Sequence, residues 1–377
     1  MKIDYVSTGL DIGGAERNLM RLSAGLGARG HQVRVISLTG MGAIARQLEG
    51  LGMDTSALNI TPASVVPGLV RLSRWLRQGK ADLIQTWMYH ANLFGSLANQ
   101  FACGAPVIWG VRQSNLHRVY SKRSTRLVRI AGRKTFKQVK SIVCCAESVR
   151  KVHEALGYDA GKMAVIPNGV DVNEFRPSGD ARQRLKELLG IKGGNVRLVG
   201  LIGRFDAQKD HKNFLRAARL FADAEMNVHL VLCGDDIDWE NGTLVNWVDI
   251  YYGRQGIHLL GLRMDIPQII AGLDLLVSSA SYGEGFPNVI VEAMACQVPV
   301  VGTDIGETAE IIGDEGWVVE RENPEALAAA MLDACHVDAQ KKLDLVIRGR
   351  ARMERDFSVE QMCSRYEDLY TRIFKEA

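Results

Sequence analysis

The strongest constraint on the fold is a rhythm of short apolar runs, each followed by a helical stretch, that occurs twice in 377 residues. Runs that are apolar on both faces and alternate with helices indicate parallel strands covered on both sides. A chain of this length exceeds one ordinary hydrophobic core, so we predict two doubly wound, Rossmann-like α/β domains. The runs are 3–7, 32–38, 83–86, 107–111 and 141–145 in the first series, and 196–202, 229–233, 257–260, 273–277 and 298–301 in the second.

The two series also predict the domain boundaries. Segment 173–195 combines proline and glycines with a short charged helix, which is typical of a linker. We therefore predict a first domain over residues 1–172 and a second over 196–357. The final segment, 358–377, carries aromatic and apolar residues at helical spacing and predicts an amphipathic helix.

Several features favour a cytoplasmic enzyme. The opening segment carries one lysine before a short apolar stretch that soon meets Asp11, so we interpret it as a buried strand and not as a signal peptide. Seven scattered cysteines without a C-x-x-C pair suit reduced thiols. Stretch 83–111 contains no Asp, Glu, Lys or Arg, but polar side chains interrupt it, so we expect a strand, a helix and a strand there instead of a membrane span.

Basic residues are concentrated in the first part of the chain. The first 150 residues carry 21 Lys and Arg against 7 Asp and Glu, and six of these cations recur at steps of three or four. Such a basic face favours binding to an anionic membrane surface, with the enzyme peripheral at the inner face of the plasma membrane, or binding to a phosphate-bearing acceptor. A solvated helix face is the alternative. Nucleic acid is not expected, because no nucleic-acid-binding motif is present. The six residues, Lys122 to Lys140, are Lys122, Arg126, Arg129, Arg133, Lys137 and Lys140.

A glycine-rich turn follows the opening strand. Gly13 and Gly14 precede a helix that we expect to begin at about Ala15. Glycines at such a junction let a phosphate approach backbone N–H groups and the positive end of the helix dipole. The spacing is not that of the dinucleotide fingerprint, and glycines that only permit a tight turn are the alternative.

A second motif leaves the first strand of the second domain. Arg204 and Lys209 follow Gly203 in one loop at the carboxyl end of the strand. Two fixed cations there can neutralise a leaving diphosphate in place of a metal ion. The alternative is an ion pair with Asp206 or Asp210.

The third motif, Glu284 to Ala295, is the most specific. Pro287 suits the first turn of a helix, so the N–H groups around Phe286 to Val289 are expected to be free for ligand oxygens. Glu292 lies inside that helix in an apolar stretch, where an unpaired carboxylate is costly, and should accept paired hydroxyls such as those of a ribose. Glu284 precedes the helix and can meet a sugar hydroxyl.

Together these motifs resemble the retaining glycosyltransferases of the GT-B fold, in the large family four that includes bacterial lipopolysaccharide, capsule and mannosyl-lipid transferases. The resemblance covers nearly the whole chain. It rests on the glycine-rich turn, the stretch Val165 to Asp171, the Gly203 to Lys209 loop, the pair Glu284 and Glu292, and the aromatic C-terminal helix.

This resemblance implies two facing domains, an interdomain cleft, and a C-terminal helix that crosses back to the first domain. It also implies that the first domain, 1–172, binds mainly the acceptor and that the second, 196–357, binds the nucleotide-sugar donor. It implies that Gly13 and Gly14 lie near the donor phosphate, that Arg204 and Lys209 hold the diphosphate, and that Glu292 holds the ribose. Glu284 and the backbone after it are expected to hold the sugar. The residues of that backbone are Gly285, Phe286, Pro287, Asn288 and Val289.

The resemblance also implies chemistry without a cofactor or a metal. The D-x-D spacing of Asp236 and Asp238 is therefore interpreted as ordinary acidic turn chemistry. No protein nucleophile is expected, since retention in this family is usually described as front-face attack in which the leaving phosphate takes the proton of the acceptor.

One departure from the family pattern concerns a histidine. Many relatives carry it just after the strand that reads Val107 to Val111, where this chain has Arg112-Gln113-Ser114. Two substitutes are open. Arg112 could contact phosphate or sugar, and His90 could line the same cleft, with a capping or core histidine as the alternative for His90.

The expected reaction moves a hexose-type sugar from a nucleoside diphosphate sugar, with UDP as the commonest carrier in the family, to a glycan or lipid-linked acceptor in cell-surface polysaccharide or glycolipid synthesis. A sugar-nucleotide 2-epimerase is a second enzymatic reading, although such enzymes lack the Glu284 and Glu292 pattern. A non-catalytic sugar-binding protein is a third reading.

Overall fold

The computed structural model describes residues 1–102, 104–113 and 139–376. The chain divides into two compact units. The first unit contains Met1–Gly169 and Val359–Ala377, and the second contains Val170–Ser358. The segment 173–195, which the sequence predicts as a linker, therefore belongs to the second unit.

A parallel sheet forms the centre of the first unit. Among the described residues its strands follow the order β3-β2-β1-β4-β5-β6-β7. The chain builds outward from β1 on one side and then returns to the other side of β1 with β4, which is the doubly wound pattern. The strands are β1 (Lys2–Ser7), β2 (Gln32–Ser37), β3 (Asp54–Ala57), β4 (Leu83–Trp87), β5 (Val107–Val111), β6 (Ser141–Cys144) and β7 (Met163–Val165).

Among the described residues, helices lie between these strands, and their apolar faces pack on the sheet. Stretch 83–111, which lacks charged side chains, forms the predicted strand, helix and strand. Within the described residues, every helix is too short or too polar to cross a bilayer. The helices are α1 (Gly14–Ala28), α2 (Ala43–Gly50), α3 (Val65–Gly79), α4 (Tyr89–Gln100) and α5 (Glu147–Ala155), with 3-10 turns at Pro62–Ser64 and Ala160–Lys162.

The second unit, whose residues are all described, contains a parallel sheet of six strands in the order β10-β9-β8-β11-β12-β13. The chain again builds away from its first strand and returns to the other side, so β8 and β11 are neighbours. The strands are β8 (Arg197–Ile202), β9 (Val228–Cys233), β10 (Ile257–Leu259), β11 (Leu275–Ser278), β12 (Val300–Thr303) and β13 (Trp317–Val319).

The helices of the second unit pack on both faces of its sheet. The short charged helix of segment 173–195 is tied to this unit, because Arg182 forms an ion pair with Asp274 and donates to the carbonyl of Val196 at 2.6 Å. The helices are α6 (Ala181–Leu188), α7 (His211–Ala224), α8 (Gly242–Tyr251), α9 (Ile266–Ala271), α10 (Asn288–Ala295), α11 (Thr308–Ile312), α12 (Pro324–His336) and α13 (Ala339–Asp356), with a 3-10 turn at Ala207–Lys209.

The last helix, α14 (Val359–Lys375), returns to the first unit and packs against α1. Its buried aromatic face joins a hydrogen-bond chain in which the Tyr370 hydroxyl contacts the Tyr5 hydroxyl at 2.9 Å and donates to Gln85 Oε1 at 3.0 Å. A side chain at Gly169 would meet the Val359 backbone at 2.8 Å, so this glycine permits the close approach. The predicted fold class, two Rossmann-like doubly wound domains with a returning C-terminal helix, is confirmed.

Candidate functional site

The topology of the second unit identifies one edge as the place for a ligand. Open doubly wound sheets bind ligands outside the carboxyl ends of the strands where the chain reverses its direction of building. In this unit that point lies between β8 and β11. The loop after β8 carries Arg204 and Lys209, and the loop after β11 carries Glu284 and leads into α10. The two strongest sequence motifs therefore lie on neighbouring loops.

The loop after β8 is held in place by its own backbone. The N–H of Gly203 donates to the carbonyl of Cys233 at 2.8 Å, and the N–H of Phe205 donates to that of Asp235 at 2.8 Å. Asp206 caps the following 3-10 turn by accepting from the N–H of Gln208 at 2.9 Å. A side chain at Gly234 would run into the Gly203 carbonyl, so two loops touch there.

An ion pair joins the two motifs. Lys209 Nζ lies 2.6 Å from Glu284 Oε2, and Gln208 Nε2 donates to the same oxygen at 3.1 Å. The Lys209 and Glu284 side chains are only 19% and 12% exposed, so the pair is partly shielded from water. An ammonium group has three donors, and this bond uses one of them. Lys209 is thus fixed in position with capacity left for an anionic ligand.

Arg204 has a different setting. Its Nε lies 3.2 Å from Asp206 Oδ2, and its side chain is 60% exposed. The ion pair that the sequence left open as an alternative therefore exists for Arg204. For Lys209 the partner is Glu284, not Asp206 or Asp210.

The start of α10 differs slightly from the sequence expectation. Pro287 occupies the N-cap position, and the first helical residue is Asn288, so the prediction that Pro287 lies within the first turn is wrong by one residue. The N–H of Ile290 donates to the carbonyl of Pro287 at 3.1 Å, so the first turn is closed at its cap. The Phe286 ring packs on Phe357, with ring centroids 5.8 Å apart.

A glycine that sequence reasoning missed closes the same loop. Gly306 has φ of 62°, and a side chain there would collide with the carbonyl oxygen of Glu284. The N–H of Glu307 donates to the carbonyl of Gly285 at 3.2 Å. The loop after β12 therefore holds the backbone around Glu284 and Gly285 against displacement.

Glu292 is buried on α10, 7% exposed, as the sequence predicts for a carboxylate in an apolar helix. Burial raises the pKa of the neighbouring Cys296 thiol to about 12, and the Glu292 charge adds to this effect. Cys296 is therefore a neutral thiol at physiological pH and is not an activated nucleophile. The assignment of Glu292 to a ribose stays a prediction.

A histidine beneath the loop after β8 was also missed. The buried ring of His211 lies against Phe205, with centroids 5.3 Å apart, and neither ring nitrogen has a hydrogen-bond partner among the described residues. Burial, and then the nearby charge of Lys209, lower the pKa of His211 to about 4. A lone histidine in a polar run gave no signal that it would be buried, because burial here follows from its place at the start of α7.

In the first unit the reversal point lies between β1 and β4. Gly13 is the N-cap of α1 and Gly14 is its first residue, so the helix begins one residue earlier than expected. Gly13 is extended, and the Glu16 carboxylate fills the space that a side chain at Gly13 would need. A phosphate at this helix start would share it with a carboxylate, and the role of the two glycines stays a prediction.

The other strand at this point ends in strained backbone. Met88 has φ of 76° and ψ of 163°, a region that residues with a side chain rarely adopt. It precedes α4, in whose first turn His90 lies half-buried. Thr8, just after β1, accepts from the N–H of Ala91 in α4 at 3.3 Å. Strain of this kind is concentrated at functional sites. It could not be predicted from the sequence, because a methionine does not indicate a positive φ.

Arg112 is bound within the first unit. Its guanidinium carbon lies 3.8 Å from the centre of the Trp87 ring, and its N–H groups donate to Asn168 Oδ1 at 3.0 Å and to the Tyr366 hydroxyl. The residue is 9% exposed. It therefore connects β5 to α14, and its proposed contact with phosphate or sugar stays a prediction.

Two further predictions concern the D-x-D turn and the basic face. Asp238 accepts from the N–H groups of Glu240 and Asn241 at 2.9 and 3.1 Å, which is acidic turn chemistry. Among the described residues no three metal-ligating side chains cluster. The basic face Lys122 to Lys140 lies outside the described residues except for Lys140.

Comparison with known families decides the class of protein. Residues 12–174 match the family model "Glycosyltransferase Family 4", and residues 196–336 match "Glycosyl transferases group 1". The chain belongs to these glycosyltransferases. The sequence-based recognition and the prediction of an enzyme are confirmed.

The relatives of this glycosyltransferase include bacterial enzymes of known name. It is 24% identical over 334 residues to the UDP-Gal:alpha-D-GlcNAc-diphosphoundecaprenol alpha-1,3-galactosyltransferase of Escherichia coli, covering 84% of this chain and 82% of that one. It is 25% identical to the N,N'-diacetylbacillosaminyl-diphospho-undecaprenol alpha-1,3-N-acetylgalactosaminyltransferase of Campylobacter jejuni, covering 88% and 89%.

Solved structures show the same fold. HepE of Anabaena, crystallised with UDP-glucose, matches with a TM-score of 0.85 and 22% identity over 99% of this chain and 100% of that one. WaaG, a glycosyltransferase involved in lipopolysaccharide biosynthesis, matches with a TM-score of 0.73 and 15% identity, covering 98% and 100%. At these identities the likeness establishes the GT-B fold and nothing finer.

Proposed function

We propose that this glycosyltransferase retains the anomeric configuration, uses a UDP-sugar as donor, requires no metal, and transfers to a lipid-linked or glycan acceptor in bacterial cell-surface polysaccharide synthesis. The observation that carries the proposal is the Lys209 to Glu284 ion pair of 2.6 Å at the reversal point of the second sheet, beside the start of α10. It joins a fixed cation, a carboxylate and the positive end of a helix in one place.

Each group has a role in this reaction. Lys209 and Arg204 neutralise the charge that grows on the leaving diphosphate, which is the role a metal ion has in other transferases. The N–H groups at the start of α10 bind oxygens of the donor. Glu284 accepts a hydroxyl of the sugar while it holds Lys209, and Glu292 accepts the ribose hydroxyls. The leaving phosphate takes the proton of the acceptor, so no protein base is needed.

The relatives support the donor and the acceptor class. The printed name of the E. coli relative gives UDP-Gal as donor and a diphosphoundecaprenol-linked sugar as acceptor, and that of the Campylobacter relative gives a diphospho-undecaprenol acceptor. HepE has been crystallised with UDP and with UDP-glucose. A UDP-sugar and a polyprenyl-diphosphate-linked sugar are therefore the first substrates to test.

The test is product formation from a panel of UDP-sugars with a polyprenyl-diphosphate-linked acceptor, with and without EDTA, with the new anomeric linkage assigned by NMR. We expect release of UDP only with acceptor, activity in EDTA, and retention of configuration. The Glu292→Ala variant should lose this activity, whereas Glu310→Ala, at a side chain that is 75% exposed, should keep it.

Each contrary outcome removes a defined part of the proposal. An inverted product would exclude retention, and loss of activity in EDTA would exclude metal independence. Conversion of the sugar nucleotide to its epimer without acceptor would favour the epimerase reading, and binding without turnover would favour the sugar-binding reading.

A further inference from the structure

Helix α3 of the first unit exposes a stripe that its fold does not use. Its inner face packs on the unit, whereas Val66 and Val70 are 70% and 54% exposed. Arg74 and Arg77 continue the same stripe, since the four positions follow one another at steps of four, four and three. The buried residues on the opposite face are Gly68, Leu72, Ser73 and Leu76.

An exposed aromatic residue extends this stripe. Phe101 is 64% exposed just after α4, and its carbonyl accepts from Arg77 Nη2. The two helices are fixed to each other, because Ser73 Oγ donates to the carbonyl of Ala98 at 2.7 Å. We call the resulting surface the α3 face, defined by Val66, Val70, Arg74, Arg77 and Phe101.

The charge of the α3 face has one sign. The chain contains no Asp or Glu between Asp54 and Asp82, and this stretch carries four cations. Residues 83–111, which include α4, carry no charged side chain. The cations of the stretch are Arg71, Arg74, Arg77 and Lys80.

We propose that the α3 face docks the enzyme on an anionic lipid surface. Exposed valines and a phenylalanine beside arginines, without carboxylates from either helix, fit the boundary between acyl chains and anionic headgroups. A protein partner of the same chemistry would need matching acidic and apolar side chains, whereas an anionic bilayer presents both at any point. This inference rests on the proposed lipid-linked acceptor and adds the surface that brings the enzyme to it.

The connectivity places this surface usefully. Helix α3 runs from the end of β3 to the start of β4, so its first turn, with Val66, lies at the carboxyl edge of the sheet. The glycine-rich turn with Gly13 and Gly14 and the strained end of β4 lie at the same edge. A bilayer in contact with the start of α3 would be next to the edge where an acceptor is expected.

The test is co-sedimentation of the full-length enzyme with vesicles of phosphatidylcholine alone or mixed with phosphatidylglycerol. We expect binding to the mixed vesicles that weakens with salt. Arg74→Gln with Arg77→Gln should lower this partitioning about thirtyfold, and Val66→Asp with Val70→Asp about tenfold or more. The matched control, Met226→Asp with Ile250→Asp, changes two exposed apolar residues of the second unit and should bind as wild type.

Several outcomes would overturn the inference. They are equal partitioning of the α3 variants and wild type, equal binding of wild type to neutral and mixed vesicles, or loss of binding only when cations among residues 122–137 are replaced. Concentration-dependent dimerisation that the α3 variants abolish, without vesicle binding, would assign the face to a second copy instead. Stabilisation by UDP, measured on the same proteins, separates this result from failure of the proposed function, because the α3 variants should keep it.

Discussion

The two units share the doubly wound topology but place their cationic side chains in different environments. At the reversal point of the second sheet, Lys209 and Glu284 come from neighbouring loops and pair at 2.6 Å while remaining partly exposed. Near the corresponding edge of the first sheet, Arg112 is buried over Trp87 and bonded to the neutral groups of Asn168 and Tyr366. The topology of the sheet determines at which edge a ligand binds, but the burial and bonding of the cation determine whether that cation can contact the ligand.

The two cations therefore differ in their capacity to bind a ligand. Lys209 has ammonium donors beyond the one that holds Glu284, so it can add a diphosphate without breaking the pair. Arg112 is only 9% exposed, and its two Nη groups donate in the contacts that hold α14 to the end of β5. We therefore interpret the second unit as the donor-binding half and the first as the half in which Arg112 maintains structure.

Replacing Lys209 gives the largest expected effect. Lys209→Ala removes a fixed cation from the leaving group and leaves the Glu284 carboxylate without its ion-pair partner, so kcat/KM should fall about 10²- to 10³-fold. The control is Lys212→Ala, in the helix α7 that follows, whose ammonium lies over the Tyr251 ring. Steady-state kinetics at saturating acceptor measure both variants. Equal activity of the two variants would remove Lys209 from the reaction.

The buried histidines of the two units differ in their hydrogen-bond partners, and this difference predicts an effect of pH on stability. His153 of the first unit has partners on both ring nitrogens, with the Tyr89 hydroxyl at 2.7 Å and the Val149 carbonyl at 2.8 Å. His211 has none among the described residues, and its pKa is lowered to about 4, chiefly by burial. Between pH 6.5 and 4, His211 is therefore protonated in the unfolded chain and stays neutral in the folded chain.

The stability contributed by neutral His211 is thus fully present above pH 6.5 and is lost as the pH falls toward 4, by up to about 3 kcal/mol. His211→Phe should flatten this part of the curve of unfolding free energy against pH, measured by urea denaturation. His336→Ala, at a side chain that is 59% exposed, serves as the control. An unchanged slope in His211→Phe would show that the histidine is protonated or solvated in the folded protein.

Replacing Arg112 gives a smaller effect of another kind. Arg112→Met removes buried hydrogen bonds to Asn168 and Tyr366, so the first unit should lose about 2 kcal/mol and amide exchange in α14 should accelerate. UDP affinity should stay within about twofold of wild type. Arg46→Met, at an exposed arginine, should change neither property. A large loss of UDP affinity in Arg112→Met would place Arg112 in the donor site and end the comparison.

The sequence predicted the central strands and the edge strand β10, and it missed the other three edge strands of the described sheets. Buried central strands such as β5 are apolar throughout and need no partner to be recognised. The strands β3, β7 and β13 lie at the edges of their sheets, are three or four residues long and are half-exposed, so they give no continuous apolar run. Their pairing depends on a neighbouring strand that the local sequence does not contain.

The site shows a similar division. The sequence predicted that Arg204, Lys209, Glu284 and Glu292 belong to one region, because their motifs follow strands whose carboxyl ends share an edge. It did not predict that Lys209 pairs with Glu284, since this requires β8 and β11 to be neighbours. The fit of Gly306 against the Glu284 carbonyl likewise depends on tertiary contact.

The most direct measurement of the central claim is calorimetric titration of UDP, in EDTA, into wild type and Glu292→Ala. If the reversal point of the second sheet binds the nucleotide, wild type binds UDP without metal, and the variant binds at least about tenfold more weakly because it loses the acceptor of the ribose hydroxyls. Equal affinity of the two proteins, or no binding of UDP to a folded wild type, would contradict the account.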